Sequence, residues 1–159
     1  NAMAVAWHTA VSYEPPVYAV SISPDRFTHG LIAESSEFVV NFIPFDKRNL
    51  VAHVAGCSGR DVDKFARFGM AGYPGSRVKP RVLEDASAAY ECRMVGRHLY
   101  GDHELFIGRV VAVHWDAAAF AEDGKLDIGR ARPALYMGED DYATAAELVH
   151  VPRRAEGAG

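Results

Sequence analysis

Apolar and polar positions change period several times along the chain, and each change marks an element. Ala2–Val11 is mostly apolar with polar insertions and reads as a strand. Ser12-Tyr13-Glu14-Pro15-Pro16 interrupts it, because adjacent prolines bar both helix and ladder. Val17–Ile22 resumes as an apolar, β-rich run, so the two segments are predicted to pair antiparallel. Ser23-Pro24-Asp25 ends that run. A short helix follows, with Thr28 at its N-cap ahead of Gly30-Leu31-Ile32-Ala33, and Glu37–Ile43 returns as a strand.

The pattern then turns helical. Asp46–Ala55 carries Leu50, Val51 and Val54 at helical spacing, with Asp46 to cap it and Gly56 to stop it. Asp61–Phe68 predicts a second short helix, packed through Val62, Phe65, Ala66 and Phe68. Gly69–Pro80 holds three glycines and two prolines and reads as a long connection, of the kind that packs over something or carries function. Arg81–Leu83 is a short strand. Ser87–Val95 alternates, with Ala89, Glu91, Arg93 and Val95 on one side and Tyr90, Cys92 and Met94 on the other. Leu105–Trp115 is a further strand, with Gly108 marking a bulge or bend. Between them Gly96–His103 reads as a polar loop. A helical turn at Ala117–Ala121, a strand at Pro133–Met137 and a helix at Ala143–Val149 complete the elements.

Short, mostly antiparallel strands with a few inserted helices predict a mainly β fold, a small barrel with helical decoration. Residues 1–152 form one domain in this reading, and 153–159 a disordered tail. The start, Asn1-Ala2-Met3, reads either as an expression scar before a native Met3 or as the remnant of a longer chain.

Composition changes this picture little. Apolar residues at 49% and charged residues at 24% suit a soluble domain, and a net charge of −4 gives no reason to expect nucleic acid or an anionic membrane as partner. No apolar run is long enough to span a bilayer and no signal peptide is present. Cys57 and Cys92 follow no metal spacing and read as free thiols in a reducing cytoplasm, with a disulfide left open.

Most familiar chemistries fail on spacing. The carboxylates do not pair, the seven histidines show no HxH or HxxxH, neither cysteine sits in CxxC, and there is no GxSxG, GxGxxG or P-loop. What remains suits a phosphorylated aromatic ligand. Thr28 offers a hydroxyl at a helix N-terminus, where free N–H groups favour anions. Arg60 and Lys64 offer cations on one face if the helix starts early. Trp7 and Tyr136 offer flat surfaces, and His103 a ring donor. Taken singly each has a plainer reading: Trp7 and Tyr136 as core or interface aromatics, Lys64 as solvated, His103 as serving a turn.

In combination these residues stand in a recognisable frame. AVAWHTAVSYEPPVYAVSIS at 4–23, FTHGLI at 27–32, FVVNFIP at 38–44, SGRDVDKF at 58–65, ECRMV at 91–95 and GDHELFIGRVV at 101–111 run in order across nearly the whole chain. In them the sequence resembles the flavin reductase-like family with the FMN-binding split-barrel fold, and within it the flavoredoxin-like group. The resemblance implies a six-stranded antiparallel split barrel acting as a homodimer, with FMN at the subunit interface and NAD(P)H as reductant. It implies that Thr28 contacts the flavin phosphate, that Lys64 balances charge on the phosphate or reduced ring, and that Trp7 and His103 lie at the flavin. Tyr136 falls where the group often has phenylalanine, and Asn1 matches an asparagine near the flavin. Ser21–Ser23 and Ser58 with Arg60 are further binding candidates. No side chain is required as catalytic acid or base. Family members carry a strand before the position of Asn1, and a barrel without it would hold flavin less well. The implied activity is NAD(P)H-dependent flavin reduction. The alternative is an electron carrier that holds FMN tightly and serves a redox partner protein.

Overall fold

The computed structural model describes residues 1–151, so the tail expected at 153–159 lies outside the described residues. The chain is mainly β and antiparallel. Strands β1 (His8–Ser12), β2 (Val17–Ile22), β3 (Glu37–Phe42), β6 (Ala88–Tyr100) and β7 (His103–Trp115) form one sheet in the order β1-β2-β7-β6-β3. Two small ribbons complete the strands, β4 (Gly72–Pro74) with β5 (Arg81–Leu83), and β8 (Leu135–Gly138) with β9 (Asp141–Ala143). Among the described residues the principal sheet thus has five strands where the resemblance implies six.

The sheet is rolled. Its edge strands β1 and β3 are four spacings apart, roughly 19 Å in a flat sheet. Yet the rings of His8 on β1 and Phe42 on β3 lie 6.2 Å apart, with Tyr18 packed edge-on to both Phe42 and Tyr90. Tyr18, Val20, Ile22, Phe38, Cys92 and Phe106 fill the interior with Ile32, which comes from helix α1 (Phe27–Ser35) plugging one end. Helices α2 (Arg48–Ala55) and α3 (Lys64–Phe68) close a second cluster around Val54, Met70 and Leu83.

Several local expectations shift, each for a physical reason. Of Ala2–Val11 only His8–Val11 is strand, because the regular register with β2 begins at His8; Trp7 adds a single bond, its carbonyl accepting from the Ser21 N–H at 2.9 Å. Thr28 is not the N-cap; Arg26 is, with no side-chain bond, and Thr28 sits inside the first turn. Asp46 falls in a 3-10 turn, Phe45–Lys47, ahead of α2, which does end at Gly56. Helix α3 starts only at Lys64, because the Asp63 carboxylate caps it by accepting from the Phe65 and Ala66 N–H groups at 3.0 and 3.3 Å. Arg60 therefore lies in the preceding turn and shares no helix face with Lys64.

The polar segment Gly96–His103 continues β6 and β7 to a two-residue turn, Gly101-Asp102, with Gly101 at φ 60°. That is the place where a type II′ hairpin keeps glycine. The bulges in this hairpin fall at Val111 and Val95, not at Gly108. Gly108 is instead a site of close packing, since a Cβ there would stand 2.6 Å from Phe38 Cζ. Ala143–Val149 forms no helix: Ala143 ends β9, and Leu148 and Val149 stay exposed with no face to pack on. So short a helix has no support without packing.

Candidate functional site

The site builds from the N-terminus of α1. The break at Pro24-Asp25 turns the chain out of β2, and α1 begins without a side-chain cap, so its first N–H groups carry a partial positive charge with no side chain to meet it. Asn1 reaches this turn, and its Nδ2 donates to Thr28 Oγ1 at 2.7 Å. Gly59 makes room for that contact, because a Cβ there would lie within 2.1 Å of Asn1 Oδ1. Arg60 packs its guanidinium over the Phe27 ring and donates from Nη1 to Asp25 O at 3.0 Å. Its own N–H donates to Ser58 Oγ at 3.1 Å.

Lys64 is buried rather than solvated, only 4% exposed, and its Nζ donates to Val54 O at 2.7 Å in the last turn of α2. Burial pulls its ammonium below the ordinary lysine range, with the nearby Arg26 adding to the effect. Among the described residues no carboxylate pairs with it.

Asn1, Thr28, Arg60, Lys64 and Tyr136 line one cavity of about 1380 Å³, open at the surface and lined largely by apolar side chains from β2, β3 and α1. Tyr136 stands at its wall, edge-on to Tyr142 with ring centres 5.4 Å apart. Trp7 and His103 are not part of that lining. They meet each other, rings 4.6 Å apart, on the sheet face opposite Val20 and Phe106. His103 Nδ1 is also 2.9 Å from the Asp102 carboxylate. Of the six residues singled out, four share the cavity and two form a separate aromatic pair.

Two polar groups beside the site carried no legible signal. His29, next to Thr28, bonds Glu104 at 2.6 Å, and Arg97 approaches the same carboxylate at 3.6 Å, which ties α1 to β7. His8 Nδ1 lies 2.7 Å from the Tyr18 hydroxyl, and burial lowers the His8 pKa. These pairs join residues up to 75 positions apart, and only the sheet register brings them together.

The donor set fits a phosphate ester with a flat apolar body. A hydroxyl, uncapped helix N–H groups and the Arg60 guanidinium gather at the start of α1, Lys64 stands elsewhere on the same wall, and most of the remaining lining is apolar, with Glu37, Asp61, Asp63, Lys79 and Arg81 among its polar members. Among the described residues no cluster of His, Cys, Asp and Glu could hold a metal. Cys57 and Cys92 are free thiols; burial pushes Cys92 up to about 12. No helix is long and apolar enough to cross a membrane.

Comparison with known proteins places this geometry. The flavin reductase like domain matches residues 1–145. An FMN-binding protein from Thermus thermophilus, solved with bound 1-cyclohex-2-enone, is 39% identical, with TM-score 0.82 over 93% of this chain and 80% of its own. The flavoredoxin of Desulfovibrio vulgaris is 25% identical, with TM-score 0.85 over 98% of this chain and 82% of its own. A protein of Pyrococcus abyssi, described as uncharacterized, is 35% identical over 125 residues, 79% of this chain and 71% of its own length. The rolled antiparallel sheet is the FMN-binding split barrel, and the chain belongs to the flavin reductase-like domain family.

Proposed function

We propose that this chain binds FMN and reduces it with a nicotinamide nucleotide. The observation that carries the reading is the uncapped N-terminus of α1 opening on the cavity beside Thr28, Asn1 and the buried Lys64. Bound FMN would supply the hydride-accepting ring, and the protein binding and electrostatics. Thr28 and the first-turn N–H groups hold the phosphate. Asn1 fixes the Thr28 hydroxyl by donating to it, which leaves that hydroxyl's proton free for a phosphate oxygen. Lys64 places positive charge in a partly dry wall, where it counts for more than in water. Trp7 and His103 offer an exposed aromatic surface, and Tyr136 a further wall. No side chain acts as acid or base.

The reading includes a homodimer. Trp7, Leu99, Tyr100, Val113 and Trp115 are large apolar side chains left exposed on β6, β7 and the approach to β1, more than a monomer keeps without use. A second reading, an electron carrier that holds FMN without nicotinamide turnover, is favoured by the flavoredoxin's match over 98% of the chain.

The test is a visible spectrum of the purified protein after FMN addition and gel filtration, then anaerobic addition of NADPH or NADH. Retained flavin that bleaches at a catalytic rate supports the reductase. Retained flavin that neither nucleotide reduces supports the carrier. Lys64→Met is expected to weaken FMN binding about tenfold, or about 1.4 kcal/mol, by fluorescence titration. Wild-type protein that neither retains nor quenches FMN would overturn both readings.

A further inference from the structure

The segment Arg77-Val78-Lys79-Pro80-Arg81-Val82 is not used by the flavin reading. Its exposure alternates: Arg77, Lys79 and Arg81 are exposed, whereas Val78 and Val82 are buried at 6% and 2%. Residues 76–80 form a bend closed by the Gly75 N–H donating to Pro80 O at 3.2 Å, and the three exposed cations lie on it and at the start of β5, with Val78 and Val82 buried beneath. Lys79 and Arg81 line the large cavity, with Pro80 between them.

The backbone of this comb is fixed by carboxylates. Glu91, fully buried on β6, accepts from the N–H groups of Ser76, Arg77 and Val78 at 2.7, 2.6 and 3.0 Å, and from Ser76 Oγ at 2.9 Å. His114 supplies one more contact to it. Glu37 accepts from the Lys79 N–H at 3.0 Å, and its other oxygen is 3.9 Å from Arg93. Arg93 in turn donates to Arg77 O at 2.8 Å. The carboxylates beside the comb are thus engaged by its backbone and by Arg93. Among the described residues none lies within 4.0 Å of the Arg77, Lys79 or Arg81 side-chain nitrogens. Arg81 rests over the Phe65 ring and donates to Gly72 O at 3.4 Å.

A held loop carrying three cations without a carboxylate partner among the described residues, two of them on the cavity wall, suits a ligand with several phosphates. Arginine meets phosphate bidentately, lysine as a point charge. Of the two common nicotinamide nucleotides, one carries a third phosphate, on the adenosine 2′ position. We propose that Arg77, Lys79 and Arg81 recognise that 2′-phosphate together with the pyrophosphate, so that the protein selects NADPH over NADH. This rests on the reductase reading. Because the comb's backbone is already held, little ordering is lost when the ligand binds.

Two measurements separate the proposal from the reading beneath it. The first is calorimetric titration of the FMN-saturated protein with adenosine 2′,5′-bisphosphate and, separately, with 5′-AMP. Tighter binding of the bisphosphate, lost by tenfold or more in Arg77→Ala/Lys79→Ala, supports the comb. Equal binding of the two probes, or no loss in the double variant, overturns it even if FMN is bound. The second is the ratio of kcat/KM for NADPH to that for NADH. It is expected to exceed ten and to fall at least tenfold in the double variant, while Lys125→Ala, far along the chain, leaves it unchanged. A wild-type ratio near or below one overturns the proposal and leaves flavin reduction standing.

Discussion

Glu91 is the residue on which the loop over the sheet depends. Burial alone would raise its pKa, but bonds from His114, Ser76 and Arg77 outweigh this and hold it down at about 2, from an ordinary 4.5. A carboxylate depressed in the folded state contributes stability above its unfolded pKa, and that stability is lost as pH falls through the folded one. Acid unfolding is therefore expected to draw on Glu91 between pH values of about 4.5 and about 2. Glu91→Gln keeps the shape but turns an NH2 group toward N–H donors. It is expected to cost about 3 kcal/mol in urea unfolding at neutral pH and to flatten the acid limb. A variant as stable as wild type would show that Glu91 is not what holds the loop. The sequence placed Glu91 on a strand face with Ala89, and nothing in its alternation signalled a carboxylate gathering amides from 13–15 residues away. Lys64 makes the same point. Its charge was legible, but its burial was not, because burial depends on α2 packing over α3.

At the scale of elements, the hairpin β6–β7 carries the longest ladder, and Gly108 decides how closely β3 approaches it. A Cβ added at Gly108 would meet Phe38 at 2.6 Å and Cys92 Cβ at 2.8 Å, and both neighbours are buried. Gly108→Ala is expected to cost about 1–3 kcal/mol through overpacking, read as a lower urea midpoint with unchanged m-value. A midpoint within error of wild type would mean that Phe38 can retreat. Strands β2, β3, β5 and β7 were legible to within about two residues, because alternation and β-branched runs are local signals. The misplaced edges share a cause. Asp63 competes with Asp61 to start α3, the bulge at Val95 lets β6 run on through polar residues, and residues 2–6 lack a ladder partner. Hydrogen-bond competition of this kind is settled between elements, not within one.

At the scale of the whole molecule, the rolled sheet brings its edges together and leaves apolar side chains on its outer surface. If these form the proposed dimer, sedimentation equilibrium at micromolar concentration is expected to give twice the monomer mass. A monomer mass with FMN bound would remove the interface from the site. The order of motifs from Trp7 to Val111 sufficed to name the family and the split barrel, since hydrophobic period, turn residues and short motifs are written along the chain. The contact of Asn1 with Thr28, the tie from His29 to Glu104 and the anchoring of the cationic comb by Glu91 and Glu37 arise only in three dimensions. Each joins residues that share no local pattern. They meet because strand register and the roll of the sheet are set by many weak contacts summed over the whole core, and no single stretch of sequence carries that sum.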